Sequence, residues 1–323
     1  MTGEDTNRRA ASGPVVVAGT AHPVLASSVA AALGEAPAVS RIERFPDGEI
    51  DVSVDVALRG HDVYVVQPTV PPVGEHSLEL ALLADALHRA GAARITAVVP
   101  YFGFARQERR TRTGGPLGAR VAADLVSCGR FARLVAVDLH SASVEGFFPM
   151  PVEHLSAVPL LAEAARAHVR ADTVIVSPDL GGAKLAREYG RLLQRPVAIV
   201  HKTRVSGREV EVHDVVGDVN GRSCIVVDDL VSTGRTIEAA VAALGARGAK
   251  HEVTVVATHA LLPGAALDVL SHARIARLIT TDSVPERTGA AFERTTVSIA
   301  PLLADTIRSL AAERPVVWYE AAR

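Results

Sequence analysis

The stretch Cys224–Thr236, CIVVDDLVSTGRT, decides the fold. A short apolar run has the composition of a buried strand, two adjacent carboxylates follow it, and a turn of small residues then opens a helix. Asp228 and Asp229 can accept hydrogen bonds from two vicinal hydroxyls. Ser232, Thr233 and Thr236, with the backbone N–H groups of the turn around Gly234 and Arg235, can cradle a phosphate at a helix N-terminus. That order of parts suits a phosphorylated sugar. The competing reading is a plain strand-turn-helix corner whose Asp pair faces water.

Outward from this stretch the same grammar repeats. Short β-branched runs alternate with Ala/Leu-rich amphipathic runs, the pattern of parallel sheets covered by helices. Strands are expected at Val15–Ala18, Val63–Gln67, Ile95–Pro100, Leu134–Asp138, Val174–Ser177, Val197–His201, Ile225–Asp228, Val253–Ala257 and Leu278–Thr281. Leu78, Leu82, Leu83, Ala86 and Leu87 recur at helical spacing, with Arg89 in the last turn and Gly91 as the C-cap. Two halves read as one unit run twice. PVVVAGTAHPVLASSVAAALG pairs with TVIVSPDLGGAKLAREYG, and RITAVVPYFGFARQ pairs with CIVVDDLVSTGRT. The boundary falls near Glu153–Pro159, and Pro315–Tyr319 is expected to return to the first domain as a strand.

Composition bounds the function. The chain has 323 residues, 48% of them hydrophobic, enough for two ordinary α/β domains. Its net charge of −2, without a basic tail or like-charge block, suggests neither nucleic acid nor an anionic membrane as partner, so phosphate binding must be local. Two cysteines, Cys128 and Cys224, fit neither a disulfide framework nor a metal site and point to a reducing, cytoplasmic setting. Residues 1–13 are polar and are expected to be disordered. Lysine is scarce, Lys184, Lys202 and Lys250 being the only ones among 34 basic residues.

On these residues the second half resembles the type I phosphoribosyltransferase fold, with DDLVSTGRT as its ribose-phosphate loop. RFPDGEI (Arg44–Ile50), GEHSLELALLADALHRAGA (Gly74–Ala92), PYFGFARQERR (Pro100–Arg110), VDLHSASVEGFF (Val137–Phe148), SPDLGG (Ser177–Gly182) and HKTR (His201–Arg204) stand in the order and rough spacing of the ribose-phosphate pyrophosphokinase family. The resemblance runs from about Val15 to Pro315. It implies an α/β chain of two similar phosphoribosyltransferase-like domains, each a mainly parallel sheet flanked by helices. Residues 14–156 would form the ATP side and 157–305 the ribose 5-phosphate side, with 306–323 packing back on the first domain. The implied reaction transfers the β,γ-diphosphoryl group of Mg-ATP to O1 of ribose 5-phosphate, giving 5-phosphoribosyl 1-diphosphate and AMP.

Residue by residue, the resemblance makes Lys202 and Arg204 the catalytic pair on a flexible loop, where an extended segment lets both clamp the transferring phosphates. Arg106, Gln107 and His140 would meet ATP. Phe45, Asp47 and Glu49 would reach the nucleotide from a neighbouring subunit, although FPDGE is also a strong hairpin turn in its own right. His140 and Asp179 would contribute to Mg²⁺ binding, for which one carboxylate plus substrate phosphates is sufficient. Asp228, Asp229, Ser232, Thr233, Gly234, Arg235 and Thr236 would hold ribose 5-phosphate. Self-association, as dimers arranged into a hexamer, is implied too.

Four departures stand out. Ser232 replaces a third Asp, Glu108 a commoner Asp, and Gly114–Arg120 a more basic segment associated with regulation. Arg235 replaces a second glycine, and if that position needs positive φ it costs about 1 kcal/mol. A non-catalytic regulatory paralogue and a phosphoribosyltransferase that consumes the activated sugar are the alternatives. A nicotinamide dehydrogenase is disfavoured because no strand leads into GxGxxG.

Overall fold

The computed structural model describes residues 13–54, 58–205 and 210–316, with the side chains of 202–213 outside the described set. The chain divides into two compact units. One runs to Leu155 and takes in the C-terminal helix from Ala300; the other spans Ser156–Ile299. The expected disorder of residues 1–13 falls, apart from Gly13, outside the described residues.

In the first unit, β1 (Val15–Ala18), α1 (Pro23–Leu33), a hairpin of β2 (Ser40–Arg44) and β3 (Ile50–Val54), β4 (Asp62–Val66), α2 (Val73–Arg89), β5 (Arg94–Val98), α3 (Gly118–Ser127), β6 (Arg133–Val137) and β7 (Val152–Leu155) follow in order. The sheet order is β1-β4-β5-β6-β7, every pair parallel. In the second unit come α4 (Val158–Arg166), β8 (Val174–Ser177), α5 (Ala183–Leu193), β9 (Val197–Val205), β10 (Val210–Val216), β11 (Cys224–Val231), α6 (Arg235–Ala246), β12 (Val253–Ala260), α7 (Ala266–His272), β13 (Ile275–Thr281) and β14 (Glu293–Val297). Its order is β10-β9-β8-β11-β12-β13-β14, parallel except for the antiparallel β9–β10 pair. Helix α8 (Ala300–Ala311) packs against α1 in the first unit.

Local chemistry explains the elements. The central strands read VYVV and IVV because parallel strands bury both faces. Helix α1 begins where Pro23 occupies its first turn and His22 Nδ1 accepts from Leu25 N–H at 3.3 Å, and it stops at Gly34 with φ of 86°. Helix α2 places Glu75 in its first turn and His88 and Arg89 in its last, matching the helix dipole. Leu80, Leu83 and Leu87 on its inner stripe are fully buried, each worth about 1.5–3 kcal/mol. Gly91, at φ of 84°, stands one residue past the actual cap, Ala90. Among the described residues no helix is long and apolar enough to cross a membrane.

The duplication needs one correction. In each unit the second strand of the pairing unit lies beside the first: β4 beside β1, and β11 beside β8. The partner of the β11–α6 corner is therefore β4–α2, not the β5 segment RITAVVPYFGFARQ. Strand-loop patterns are alike from unit to unit, and only sheet order distinguishes them. On this pairing Gln67 of the first unit stands where Asp228 stands in the second.

The corner in the first unit is filled from within. The Glu79 carboxylate, on the inner face of α2 and with no exposed surface, accepts from Thr20 N–H (2.6 Å), Thr20 Oγ1–H (2.6 Å), Gln67 Nε2 (2.8 Å) and Arg44 Nη2 (3.1 Å). Gln67 Oε1 in turn accepts from Ala21 N–H at 3.0 Å. Two further expectations are adjusted. Strands β2, β3, β7, β10 and β14 were not anticipated as strands, the Pro-Asp-Gly turn alone marking the first two. Pro315 and Val316 are irregular rather than strand. Residues 317–319 of that expected strand lie outside the described residues.

A Glu79→Leu variant leaves four donors without their acceptor, of which only the Gln67 amide belongs to a buried residue, so it is expected to lower unfolding free energy by about 1–3 kcal/mol in urea titration. A loss under about 1 kcal/mol would show that the network does not hold this corner together.

Candidate active site

From β8 the chain passes through α5 to β9 on one side of it, yet returns to β11 on the other. At such a reversal the crossovers part, leaving a crevice at the carboxyl ends of the two strands, the usual ligand position in parallel α/β sheets. Asp179 and the stretch Asp228–Thr236 both lie at that edge.

After β8, Ser177 Oγ–H donates to Asp179 O at 2.6 Å and Gly182 N–H donates to Asp179 Oδ1 at 3.1 Å. The turn thereby fixes an exposed carboxylate just before α5. Strand β11 does not end at Asp228, as expected, but continues to Val231, pairing Leu230 with His259 and Val231 with Ala260. The acid pair is thus part of the strand, and its two members hold each other, with Asp229 N–H donating to Asp228 Oδ1 at 3.0 Å. Burial, the neighbouring charge and hydrogen bond of Asp229, and the charge of Asp179 together push the Asp228 carboxyl well above the ordinary carboxylate range. This edge of the sheet is therefore negative, and hydroxyl donors or a cation would relieve it.

Beyond the strand, Ser232 is half-buried and Thr233 and Thr236 are exposed, around the N-terminus of α6. The first N–H groups of that helix have no intrahelical acceptors and point toward the loop. Gly234 carries the positive φ, 80°, and a Cβ there would meet Leu270 Cγ at 3.1 Å. Arg235 is instead the first helical residue, so the anticipated strain at that position is absent. Its exposed guanidinium donates to Glu238 Oε2 at 2.8 Å.

Lys202 and Arg204 are not on a loop. Their backbones belong to β9 and pair with His213 and Glu211 of β10. Their side chains lie outside the described set.

In the first unit, Arg106 and Gln107 sit on the single helical turn Ala105–Gln107 that follows β5, and His140 follows β6. These strands are neighbours, so all three exposed side chains come to one sheet edge. Gly103 makes the PYFGF loop possible, because a Cβ there would lie 2.7 Å from Thr69 O, whose own hydroxyl accepts from Gly103 N–H at 2.7 Å. Phe45, Asp47 and Glu49 lie elsewhere, at the exposed tip of the β2–β3 hairpin, where Phe45 retains 48% of its surface. Asp47 Oδ1 accepts from Glu49 N–H at 3.1 Å, and Gly48 has φ of 94°, so the expected turn is present. Arg44 ties the hairpin to Glu79 and Glu75 on α2.

Sequence reasoning missed Glu79 and His154. Glu79 falls on the same helical stripe as His76, Leu83 and Leu87, and an acidic residue at an inward position is a readable signal. For His154 no such signal exists. Among the described residues no three side chains of His, Cys, Asp and Glu converge to chelate a metal by themselves. Asp179, exposed and fixed by its turn, is the kind of carboxylate that a Mg²⁺ ion would take alongside water and phosphates.

Two α/β units, one carrying an acid pair and a phosphate-type loop at its switch point, define a protein with the phosphoribosyltransferase type of fold. Residues 14–129 match the N-terminal domain of ribose phosphate pyrophosphokinase and residues 154–282 the phosphoribosyl transferase domain. Curated relatives named ribose-phosphate pyrophosphokinase include one from Maricaulis maris, 40% identical over 93% of this chain and 98% of its own length. Another, from Streptomyces coelicolor, is 41% identical over 90% of this chain and 91% of its own length. The crystal structure of phosphoribosylpyrophosphate synthetase from Mycobacterium smegmatis superposes with a TM-score of 0.87 at 38% identity, covering 94% of this chain and all of that one. The chain belongs to the ribose-phosphate pyrophosphokinase family. A first unit with its own match in that family is not accounted for by a phosphoribosyltransferase alone.

Because the folded Asp228 binds its proton more tightly than the unfolded chain does, stability is lost as pH rises above the ordinary carboxylate range, and burying this carboxyl is a net burden at neutral pH. Asp228→Asn is expected to raise the melting temperature by roughly 2–4 °C near pH 7.5, with the gain shrinking toward pH 5. A variant that melts lower than the parent at pH 7.5 would contradict this balance.

Proposed function

We propose that the chain forms 5-phosphoribosyl 1-diphosphate from ATP and ribose 5-phosphate. O1 of the sugar attacks the β-phosphorus, the bond from that phosphorus to the α-phosphate oxygen breaks, AMP leaves, and the proton of O1 passes to solvent. The observation that carries the reading is the second unit's switch point, with an acid pair for vicinal hydroxyls and a helix N-terminus for the 5-phosphate. Asp228 and Asp229 orient the ribose, while Ser232, Thr233, Gly234, Arg235 and Thr236 bind its phosphate through hydroxyls and backbone N–H groups.

The nucleotide is assigned to Arg106, Gln107 and His140. Arg106 pairs with phosphate and Gln107 offers its amide to a base edge. Phe45, Asp47 and Glu49 serve the adenine of a neighbouring copy, a reading supported by their exposure at the hairpin tip and one that makes the active protein an oligomer, dimers assembled as a hexamer. Mg²⁺ is assigned to Asp179 in the second unit and, separately, to His140 in the first, each with substrate phosphates and water; the ion would supply charge neutralisation on the diphosphate. Lys202 and Arg204 complete the cationic surroundings of the transferring group, where charge spreads over several oxygens and positioning matters more than a protein nucleophile. The unpaired cysteines, one exposed and one buried, suit a reducing cytoplasm.

Purified protein given Mg-ATP is expected to release AMP only when ribose 5-phosphate is added, with the diphosphorylated sugar identified by mass. Well-folded protein that binds ribose 5-phosphate but releases no AMP would instead favour a regulatory paralogue. Lys202→Ala is expected to lower kcat by about 100-fold or more while changing KM for ribose 5-phosphate little, since its contact matures in the transition state. Equal losses in both would remove it from that role.

A further inference from the structure

The loop that carries His140 is held in an unusual way. Asp138, the residue after β6, has φ of 39°, in the left-handed region that non-glycine residues rarely adopt. Its N–H donates to Leu155 O on β7 at 2.9 Å. The next N–H, that of Leu139, donates not to backbone but to the ring of His154, Nε2 accepting at 2.8 Å. On the other side of the ring, Nδ1 lies 2.6 Å from Glu145 Oε1.

These partners settle the tautomer. A backbone N–H can only donate, so Nε2 presents its lone pair, and the proton of the neutral ring sits on Nδ1, donated to Glu145. Glu145 belongs to the short helical turn Ala142–Phe147 that begins two residues beyond His140. Strand β7 therefore grips the chain on both flanks of His140, through Leu139 on one side and Glu145 on the other, with one imidazole as the bridge. Both side chains are partly exposed, His154 at 19% and Glu145 at 32%. Water can replace their hydrogen bonds if they are lost, but water would not fix the direction of the Leu139–His140 peptide.

We infer that His154 is a positioning residue for the nucleotide step: its imidazole, oriented by Glu145, sets the peptide from which His140 is presented. The inference rests on the assignment of His140 to the nucleotide. Glutamine at 154 can bring Oε1 to a similar place as Nε2 and accept from Leu139, whereas leucine fills the space and accepts nothing.

The test compares the full-length parent with His140→Ala, His154→Leu and His154→Gln. Each is measured by calorimetric titration with Mg-ATP, by titration with ribose 5-phosphate, and by amide exchange at Leu139. His154→Leu is expected to weaken ATP binding about tenfold, the scale of one well-placed hydrogen bond. It should also speed Leu139 exchange while leaving ribose 5-phosphate affinity within about twofold, and His154→Gln should recover most of the ATP affinity. If His140→Ala weakens ATP binding but His154→Leu does not, the positioning role is wrong. Equal losses of ATP and ribose 5-phosphate affinity in His154→Leu, with no recovery by Gln, would mark His154 as merely structural and overturn it as well. ATP binding unchanged in His140→Ala would remove the nucleotide assignment itself, and the inference with it.

Discussion

The parallel pairing of β8 with β11, with the chain leaving β8 on one side and coming back on the other, is the constraint on which the rest of the second unit depends. It leaves a crevice at the carboxyl ends of two buried strands, and it brings the turn after β8 and the turn after β11 to the same edge. Asp228 cannot be understood apart from this arrangement. A carboxyl set into a strand, beside a second carboxylate and near a third, resists ionisation. The unit stores an electrostatic cost at the place where hydroxyls of a sugar would offset it, while the N-terminus of α6 supplies the opposite polarity for a phosphate.

The first unit shares the order of the central parallel strands but keeps β1 at its sheet edge, and it treats the same corner in the opposite way. Where the second unit has an acid pair facing a crevice, the first has Gln67, and a carboxylate from the following helix accepts four hydrogen bonds from its own chain. A buried Glu79 with all its partners internal leaves little for a ligand to satisfy. The two sheets thus share the order of their central parallel strands and differ in the chemistry at this corner. The first unit's exposed Arg106, Gln107 and His140 come instead from the next two strands along the sheet.

Much of this was legible in the residues alone. The β8 run VIVS and the opening of β11, IVV, are continuous β-branched segments, which parallel pairing demands, and their loops name their chemistry through small and hydroxylated residues. Helix α2 was legible from its leucine spacing. What escaped depends on nonlocal geometry. Strands β10 and β14 lie at sheet edges; the hairpin strand β3, IDVSV, alternates apolar and polar residues as an exposed strand should, and that signal was overlooked. Repeat equivalence went astray by one strand because sheet order is not written in any local segment. The concern over Arg235 dissolved for a similarly local reason, since Gly234 absorbs the left-handed turn one residue earlier. His154 could not have been found, because its significance lies entirely in which backbone N–H its ring meets.

The measurement that tests the account most directly is a crystal structure of the full chain grown with ribose 5-phosphate. One sugar phosphate per chain is expected, its phosphate against the N–H groups and hydroxyls of Ser232–Thr236 and its ring hydroxyls on Asp228 and Asp229, with the corner around Glu79 unchanged. Density for the ligand at the Glu79 corner, or bound sugar phosphate that avoids the Asp228–Asp229 edge, would contradict the assignment of the switch point and the division of labour built on it.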